Sequence, residues 1–407
     1  MNLRLEKSLI KKRSSIAITG SKSESNRLLL LKALFPEISI ENVSNSDDSQ
    51  LMIKALSSSE RIIDIHHAGT AMRFLTAYFA IQEGRETVIT GSKRMKERPI
   101  KILVNALRSL GADIRFLEND GFPPLRIIGK VLTSSEVSLE ANVSSQYISA
   151  LILIATRLRN GLKITLNGEI ASVPYINMTL ELLNQIGVET SFEDNTIRIE
   201  PIRQDLEPAT LVVESDWSSA SYFYSILALS DLGTEIELSS YKENSLQGDA
   251  VLAKIYNDLG VITKFEGNSV RLVKKASKYN FLKLNLQNAP DIAQTIAVTC
   301  LGLGIGCELS GLHTLKIKET DRLEALQIEI SKLGGDIEVT NDSLHLKPSK
   351  AIKSGMVIDT YHDHRMAMAF APLALKTSLI VNDAEVVSKS YPDFWKDLGS
   401  LGFSISE

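Results

Sequence analysis

Cysteine is almost missing from this chain of 407 residues: only Cys300 and Cys307 occur, both inside the apolar stretch TIAVTCLGLGIGCEL. Two thiols in such a setting read as small buried hydrophobes of a reducing compartment, not as a disulfide or a metal pair. Histidine is scarce as well, with six in all. His66, His67, His313 and His345 show no ligand spacing, and His362 and His364 stand two apart, so on a helix they do not share a face. Zinc is therefore not expected. Charge is nearly balanced, at −4 with a pI near 6.0, which excludes a general nucleic-acid or membrane-surface role. No apolar run approaches membrane-spanning length. The basic start MNLRLEKSLIKKRSS lacks the apolar core of a signal peptide, so a cytoplasmic protein is expected. Low-complexity segments and long linkers are absent too. What remains is ordinary globular composition, 44% hydrophobic and 23% charged, in a length that suggests two or three domains.

What the chain does have is a period. Six apolar, helix-length stretches each open on a compact polar cluster: SKSESNR, HAGTAMR, VSSQ, DWSSAS, APDIAQT and HDHRMAM. Marked by Ser23, Thr70, Ser145, Ser218, Asp291 and His364, they recur at intervals of 47, 75, 73, 73 and 73. A second series, in which a helical run closes on glycine before a strand, falls at Gly111, Gly187, Gly260, Gly334 and Gly402. A unit of that length is too long for a thin solenoid, so each repeat is expected to be a small α/β subdomain. The short first interval implies an incomplete or split unit.

Within each repeat, amphipathic helical patterns at 100–111, 177–187 and 250–260 run into short alternating strands,. The polar-started helices are apolar all round and are expected to be buried. Six two-layer units arranged three plus three give two lobes, with crossovers near Thr19–Gly20 and Ser215–Asp216. The boundaries are then 20–215 for one lobe, and 1–19 plus 216–407 for the other. The first strand, SSIAIT, is expected to pair with the second lobe and so to account for the short interval.

Helix N-termini carry unpaired N–H groups and a positive dipole end, which attract phosphate and carboxylate. Lys22, Arg27, Arg73 and Arg365 add charge to several of these starts, and converging starts would form a site for a small, strongly anionic ligand. Ser218 or Ser219 reads as an ordinary N-cap, Asp216 as a cap or hinge. SKSESNR and HDHR do not, because cations there oppose the dipole and call for an anion.

Nine motifs in order over the whole chain carry a resemblance: TGSKSESNR, HHAGTAMRFL, GSKRMKERPI, VSSQYISAL, SVPYINMTLELL, APDIAQTIA, IKETDRLEAL, YHDHRMAMAF and SKSYPDFW. Together they resemble the 5-enolpyruvylshikimate-3-phosphate (EPSP) synthase family. The resemblance implies an α/β protein of two lobes, each of three βαβαββ-type units (an inside-out α/β barrel), with the active site in the interlobe cleft. It implies transfer of the enolpyruvyl group of phosphoenolpyruvate to the 5-hydroxyl of shikimate 3-phosphate, without metal or organic cofactor. The partners are those small molecules alone, and the chain acts as a monomer.

Motif by motif, the resemblance assigns Gly69, Arg94, Gln146, Arg322, Arg365 and Lys389 to phosphoenolpyruvate. It assigns Ser144, Ser145, Gln146 and Ser172 to shikimate 3-phosphate at its phosphate end, and Ser23, Arg27 and Lys318 to its carboxylate and ring hydroxyls. Lys22 touches both substrates and assists the departing phosphate. Asp291 is the base on the 5-hydroxyl and Glu319 the proton donor to carbon, while Asp321 with Glu324 reads as a capping box. Thr70, Arg73, Tyr175, Thr314 and His364 are further candidates, with Thr314 standing where many members carry Asn. Arg98 is expected to brace the RMKERP loop. Two dianionic substrates held together need many cations, with Arg favoured for planar bidentate contacts.

Three rival readings differ at particular residues. A UDP-N-acetylglucosamine enolpyruvyl transferase normally has a reactive Cys in the loop that here reads RMKERP. An RNA-phosphate cyclase does not fit an acidic chain with SKS, KETDR and HDHR. A non-catalytic phosphometabolite sensor could lose Asp291 and Glu319, and both are present. Gly69 with KETDR resembles the glyphosate-sensitive class, although His67 places a bulky titratable group where many members have a small residue or Asn.

Overall fold

The computed structural model describes residues 1–140, 144–168, 170, 173–202, 207–277 and 279–407. The six polar-started stretches are helices: α1 (Lys22–Leu34), α2 (Gly69–Ala80), α3 (Ser145–Ala155), α4 (Trp217–Leu229), α5 (Ala293–Leu303) and α6 (His364–Phe370). Every residue of α2 and of α6 is buried, as an apolar surface on all sides requires. The peripheral helices behave otherwise. Lys101–Ser109 buries only Leu103, Val104, Ala106 and Leu107, one stripe of its surface.

Three repeats share one plan. Ile62–Asp64 runs parallel to Glu86–Thr90 through the α2 crossover, and Leu125–Ile128 then pairs antiparallel with both Glu86–Thr90 and Asp113–Phe116. The same βαβαββ order holds around α3 and around α5. The glycines that close the helical runs all take positive φ, from 81° at Gly260 to 115° at Gly402, a conformation that spares glycine the Cβ clash.

The remaining repeats borrow strands. Arg13–Ile16 runs parallel to Glu235–Ser239 and completes the sheet around α4. Leu3–Leu5 enters the last sheet, antiparallel to both Leu379–Val381 and Ile405–Ser406. The first repeat receives Ala209–Val212, parallel to Ile38–Glu41. Its sheet has two strands among the described residues, and no hairpin follows the helix Asp47–Ser57. This corrects the explanation of the short interval. The N-terminal strand does pair far along the chain, but it precedes Ser23; the missing hairpin between Ser57 and Thr70 is what shortens the spacing.

The chain divides into two compact units, residues 1–20 with 214–407, and residues 21–213. In the first, Trp217, Tyr222, Phe223, Tyr241 and Phe394 are buried in one continuous core. In the second, Phe74, Leu75, Phe79, Ile148 and Leu151 are fully buried on the facing helices α2 and α3.

Candidate active site

In the unit of residues 21–213, α2 packs against both α1 and α3, which places the polar starts of the three helices side by side. Gln146 Nε2 donates to Thr70 Oγ1 at 3.2 Å. Ser144 caps α3 by accepting from Gln146 N, and an accepting hydroxyl keeps its own proton for a ligand. Ser145 is buried, whereas Lys22, Ser23, Gln146 and Tyr175 are half-buried. Ser172 lies outside the described residues.

Arg27 is buried to 2% exposure at the centre of this group. Its Nε donates to Thr179 Oγ1 at 2.7 Å, Nη1 to the Ser23 carbonyl at 2.7 Å, and Nη2 to Ser149 Oγ and the Tyr175 carbonyl. All four acceptors are neutral. Burial therefore pushes the Arg27 guanidinium down to about 10, with only Tyr175 and Glu24 opposing it. Arg73 is similar: its Nη1 donates to the Gly69 carbonyl at 3.0 Å and its Nη2 to the Pro99 carbonyl at 3.3 Å. Burial, reinforced by Arg98, pushes it to about 10 as well.

Two arginines join the RMKERP loop to the start of α2. Arg73 braces the RMKERP loop through Pro99 and Met95 Sδ. Arg98, expected to brace the same loop, lies against Gly69: a Cβ at Gly69 would stand 2.5 Å from Arg98 Nη1 and 3.0 Å from its Cζ. Arg94 is about half exposed and pairs with Glu97 at 3.3 Å. His67 Nε2 is 3.9 Å from Asp47 Oδ2.

The unit of residues 1–20 and 214–407 repeats the convergence with different chemistry. Ser218 of α4 and Asp291 before α5 meet at Arg365 of α6, whose Nη1 donates to the Asp291 carbonyl at 3.1 Å and Nη2 to Ser218 Oγ at 3.2 Å. Nη2 also lies 3.4 Å from Asp291 Oδ2. Asp291 Oδ1 accepts from Arg322 Nη1 at 2.9 Å and lies 3.3 Å from Lys318 Nζ. Arg322 Nη2 donates to Glu319 Oε2 at 2.9 Å, and its Nε to Asp363 Oδ2 at 2.6 Å.

Burial alone would raise Asp291, but Lys318, Arg365 and Arg322 hold it well below the usual carboxylate range. Burial likewise works to lower Arg322, and Asp363, Glu319 and Asp291 outweigh it, so this guanidinium stands above its ordinary value. Arg365 is also raised, with burial opposed chiefly by Asp291.

Local sequence explains the placement. Asp321 caps the helix Arg322–Lys332 by accepting from Leu323 N and Glu324 N, which orients Arg322 at the first helical position. Asp291 follows Pro290 in a short 3-10 turn before α5 and caps nothing; its side chain is left for the cations. The expectation that Ser218 or Ser219 caps α4 is corrected, because Asp216 is the cap, accepting from Ser219 N at 2.7 Å. Ser218 is thereby released to bond Arg365.

Asp363 is the residue that sequence reasoning missed. It is fully buried, caps α6 by accepting from Arg365 N at 2.9 Å, and anchors Arg322. An Asp directly before a helix that opens on His and Arg was the available signal. Two successive non-glycine residues of positive φ, Tyr361 and His362, deliver it. They are held by the Tyr361 hydroxyl donating to Glu329 Oε1 and by Lys389 Nζ donating to the His362 carbonyl, each at 2.6 Å. Thr314 Oγ1 is buried without a hydrogen bond. Among the described residues, no three His, Cys, Asp or Glu side chains come together as metal ligands, and no helix is long and apolar enough to cross a membrane.

The family model of EPSP synthase (3-phosphoshikimate 1-carboxyvinyltransferase) matches residues 55–398. A 3-phosphoshikimate 1-carboxyvinyltransferase of Bacteroides fragilis is 48% identical over 398 residues, covering 97% of this chain and 96% of that protein. One from Vibrio campbellii is 34% identical over 415 residues, with 95% and 96% covered. Among solved structures, EPSP synthase from Acinetobacter baumannii superposes with a TM-score of 0.79 at 20% identity over the full length of both chains. The enolpyruvyl transferase NikO from Streptomyces tendae gives 0.77 at 13% identity, covering 100% of this chain and 98% of that one.

Proposed function

Since the chain belongs to the EPSP synthase (3-phosphoshikimate 1-carboxyvinyltransferase) family, we propose the roles through which its residues move the enolpyruvyl group of phosphoenolpyruvate to shikimate 3-phosphate. The reaction is a transferase step of the shikimate pathway, on the way to chorismate and the aromatic amino acids. Arg94, Arg322, Arg365 and Lys389 hold the phosphate and carboxylate of phosphoenolpyruvate, with Gln146 and the Gly69 backbone. Ser144, Ser145 and Ser172 bind the phosphate of shikimate 3-phosphate. Ser23, Arg27 and Lys318 hold the rest of that substrate, and Lys22 spans both.

Asp291 removes the 5-hydroxyl proton as the hydroxyl oxygen bonds to C2 of phosphoenolpyruvate, and Glu319 delivers a proton to C3. In the elimination C3 returns its proton, the C2–O bond to phosphate breaks, and Lys22 assists the leaving group. The observation that carries this reading is the grip of three cations on Asp291. So compensated, a carboxylate is a weak base. An anionic substrate that draws on Lys318, Arg322 and Arg365 removes that compensation, so Asp291 gains basicity and Glu319 affinity for its proton as the substrates bind.

In this reading the enzyme works as a cytoplasmic monomer, with every proposed contact drawn from one chain. Release of inorganic phosphate tests it. Phosphate should appear only when phosphoenolpyruvate and shikimate 3-phosphate are both present; release from either alone, or none from the pair, would refute the assignment.

A further inference from the structure

Behind Arg365 lies a group that the proposed chemistry does not use. Asp249, in the short turn Gly248–Val251, is 2% exposed, and its Oδ2 accepts the hydroxyl proton of Ser218. Its Oδ1 takes no hydrogen bond. Ser218 Oγ in turn accepts from Arg365 Nη2 at 3.2 Å. A buried carboxylate with one oxygen unsatisfied is costly. Nothing about the turn itself demands it, since Asp249 caps no helix.

We infer that Asp249 is a positioning residue: through Ser218 it fixes the direction in which Arg365 presents its guanidinium to the anionic substrate. The inference rests on the reading of Arg365 as a ligand of phosphoenolpyruvate. The hydroxyl of Ser218 has one proton, which it gives to Asp249, so the lone pair left over faces Arg365. With Asp249 protonated, that polarity is no longer dictated. Ser218 can then turn its own proton toward the guanidinium, and the aim of Arg365 is released.

The charges around Asp249 make it responsive. Burial raises it to about 6; Arg365 on α6 pulls it back, and Asp291 before α5 and Asp216 at the α4 cap push it up. A ligand that needs Arg365 held in that aim favours the ionised carboxylate, so its binding near pH 6 displaces a proton from Asp249. A carboxylate that only shared the field of Arg365, without fixing its aim, would take up a proton instead.

The test uses the full-length enzyme and three variants: Asp249→Asn, Ser218→Ala and Arg365→Lys. Asp249→Asn should raise the KM for phosphoenolpyruvate about tenfold while kcat changes less than threefold, and Ser218→Ala should do the same. The double variant should be no worse than either single one, because both remove one relay. Calorimetric titration of the shikimate 3-phosphate complex with phosphoenolpyruvate, in buffers of different ionisation enthalpy near pH 6, should show proton release in the parent and none in Asp249→Asn. An unchanged KM, additive single effects, proton uptake in the parent, or the same proton release in Asp249→Asn would overturn the inference. Should Asp249→Asn not fold, Ser218→Ala decides by the same readouts. Arg365→Lys separates the premise: if it leaves the KM for phosphoenolpyruvate unaltered, the assignment of Arg365 fails, whatever Asp249 does.

Discussion

Two pairs of buried arginines, one in each unit, show how the same repeat has been put to different use. Arg27 and Arg73 sit at helix starts among hydroxyls and carbonyls, and burial lowers both to about 10. Arg322, at the start of the helix Arg322–Lys332, and Arg365, near the start of α6, sit among Asp291, Glu319, Asp363 and Asp249, and both are raised. A guanidinium among neutral acceptors is short of negative charge and is suited to receiving it from a ligand. One among carboxylates is already neutralised, and what a ligand changes there is the protonation of those carboxylates. In the proposed roles both proton transfers fall to residues 214–407, while anion holding is shared by the two units.

The sharpest way to break this contrast is to remove one partner from each side. Asp363→Ala leaves Arg322 buried with an uncompensated share of charge, and deleting one partner of a buried pair costs about 3–5 kcal/mol. Arg27→Met removes a charge whose partners are neutral, and should cost only about 1–3 kcal/mol, from unmade hydrogen bonds. The chain has two tryptophans, Trp217 and Trp395, both in the unit that holds Asp363. Denaturation followed by tryptophan fluorescence should therefore move strongly for Asp363→Ala and hardly at all for Arg27→Met, whose loss appears in circular dichroism. Equal shifts in the fluorescence transition would erase the distinction.

A smaller effect is expected at Gly69. Glyphosate, with a phosphonate and a carboxylate, should compete with phosphoenolpyruvate, and a methyl at Gly69 must push aside the Arg98 guanidinium. That guanidinium ends a flexible side chain, so the protein can yield without unfolding. Gly69→Ala should retain its thermal midpoint and weaken glyphosate inhibition several-fold more than it raises the KM for phosphoenolpyruvate. Unchanged inhibition would show that the anion does not approach this helix start.

Much of this was legible from the period. Thr70 lies among the helix starts that meet in residues 21–213, and Ser218 and Asp291 among those that meet in residues 214–407, because a repeat that buries one helix in each copy must bring equivalent ends together. Six separate sheets and the far pairing of the N-terminal strand follow from the same reasoning. Pattern alone did not reveal which polar side chain caps and which reaches into the site: Asp216 and Ser218 both suit an N-cap, and Ser218 instead bonds Asp249, thirty-odd residues away in the chain. Asp363 escaped for a related reason. Its importance comes from Arg322 in another repeat, a long-range pairing that periodicity does not encode. The reach of Arg73 to Pro99 is likewise a contact between separate segments that periodicity does not encode.

Glu319→Gln tests the division of labour most directly, since it removes a proton donor without removing a hydrogen-bonding side chain of that size. Calorimetry should give a shikimate 3-phosphate affinity within about threefold of the parent, while turnover falls at least about a hundredfold, the contribution expected of a positioned acid. Turnover within a few-fold of the parent, or a loss of binding that matches the loss of turnover, would contradict the assignment of proton transfer to this unit.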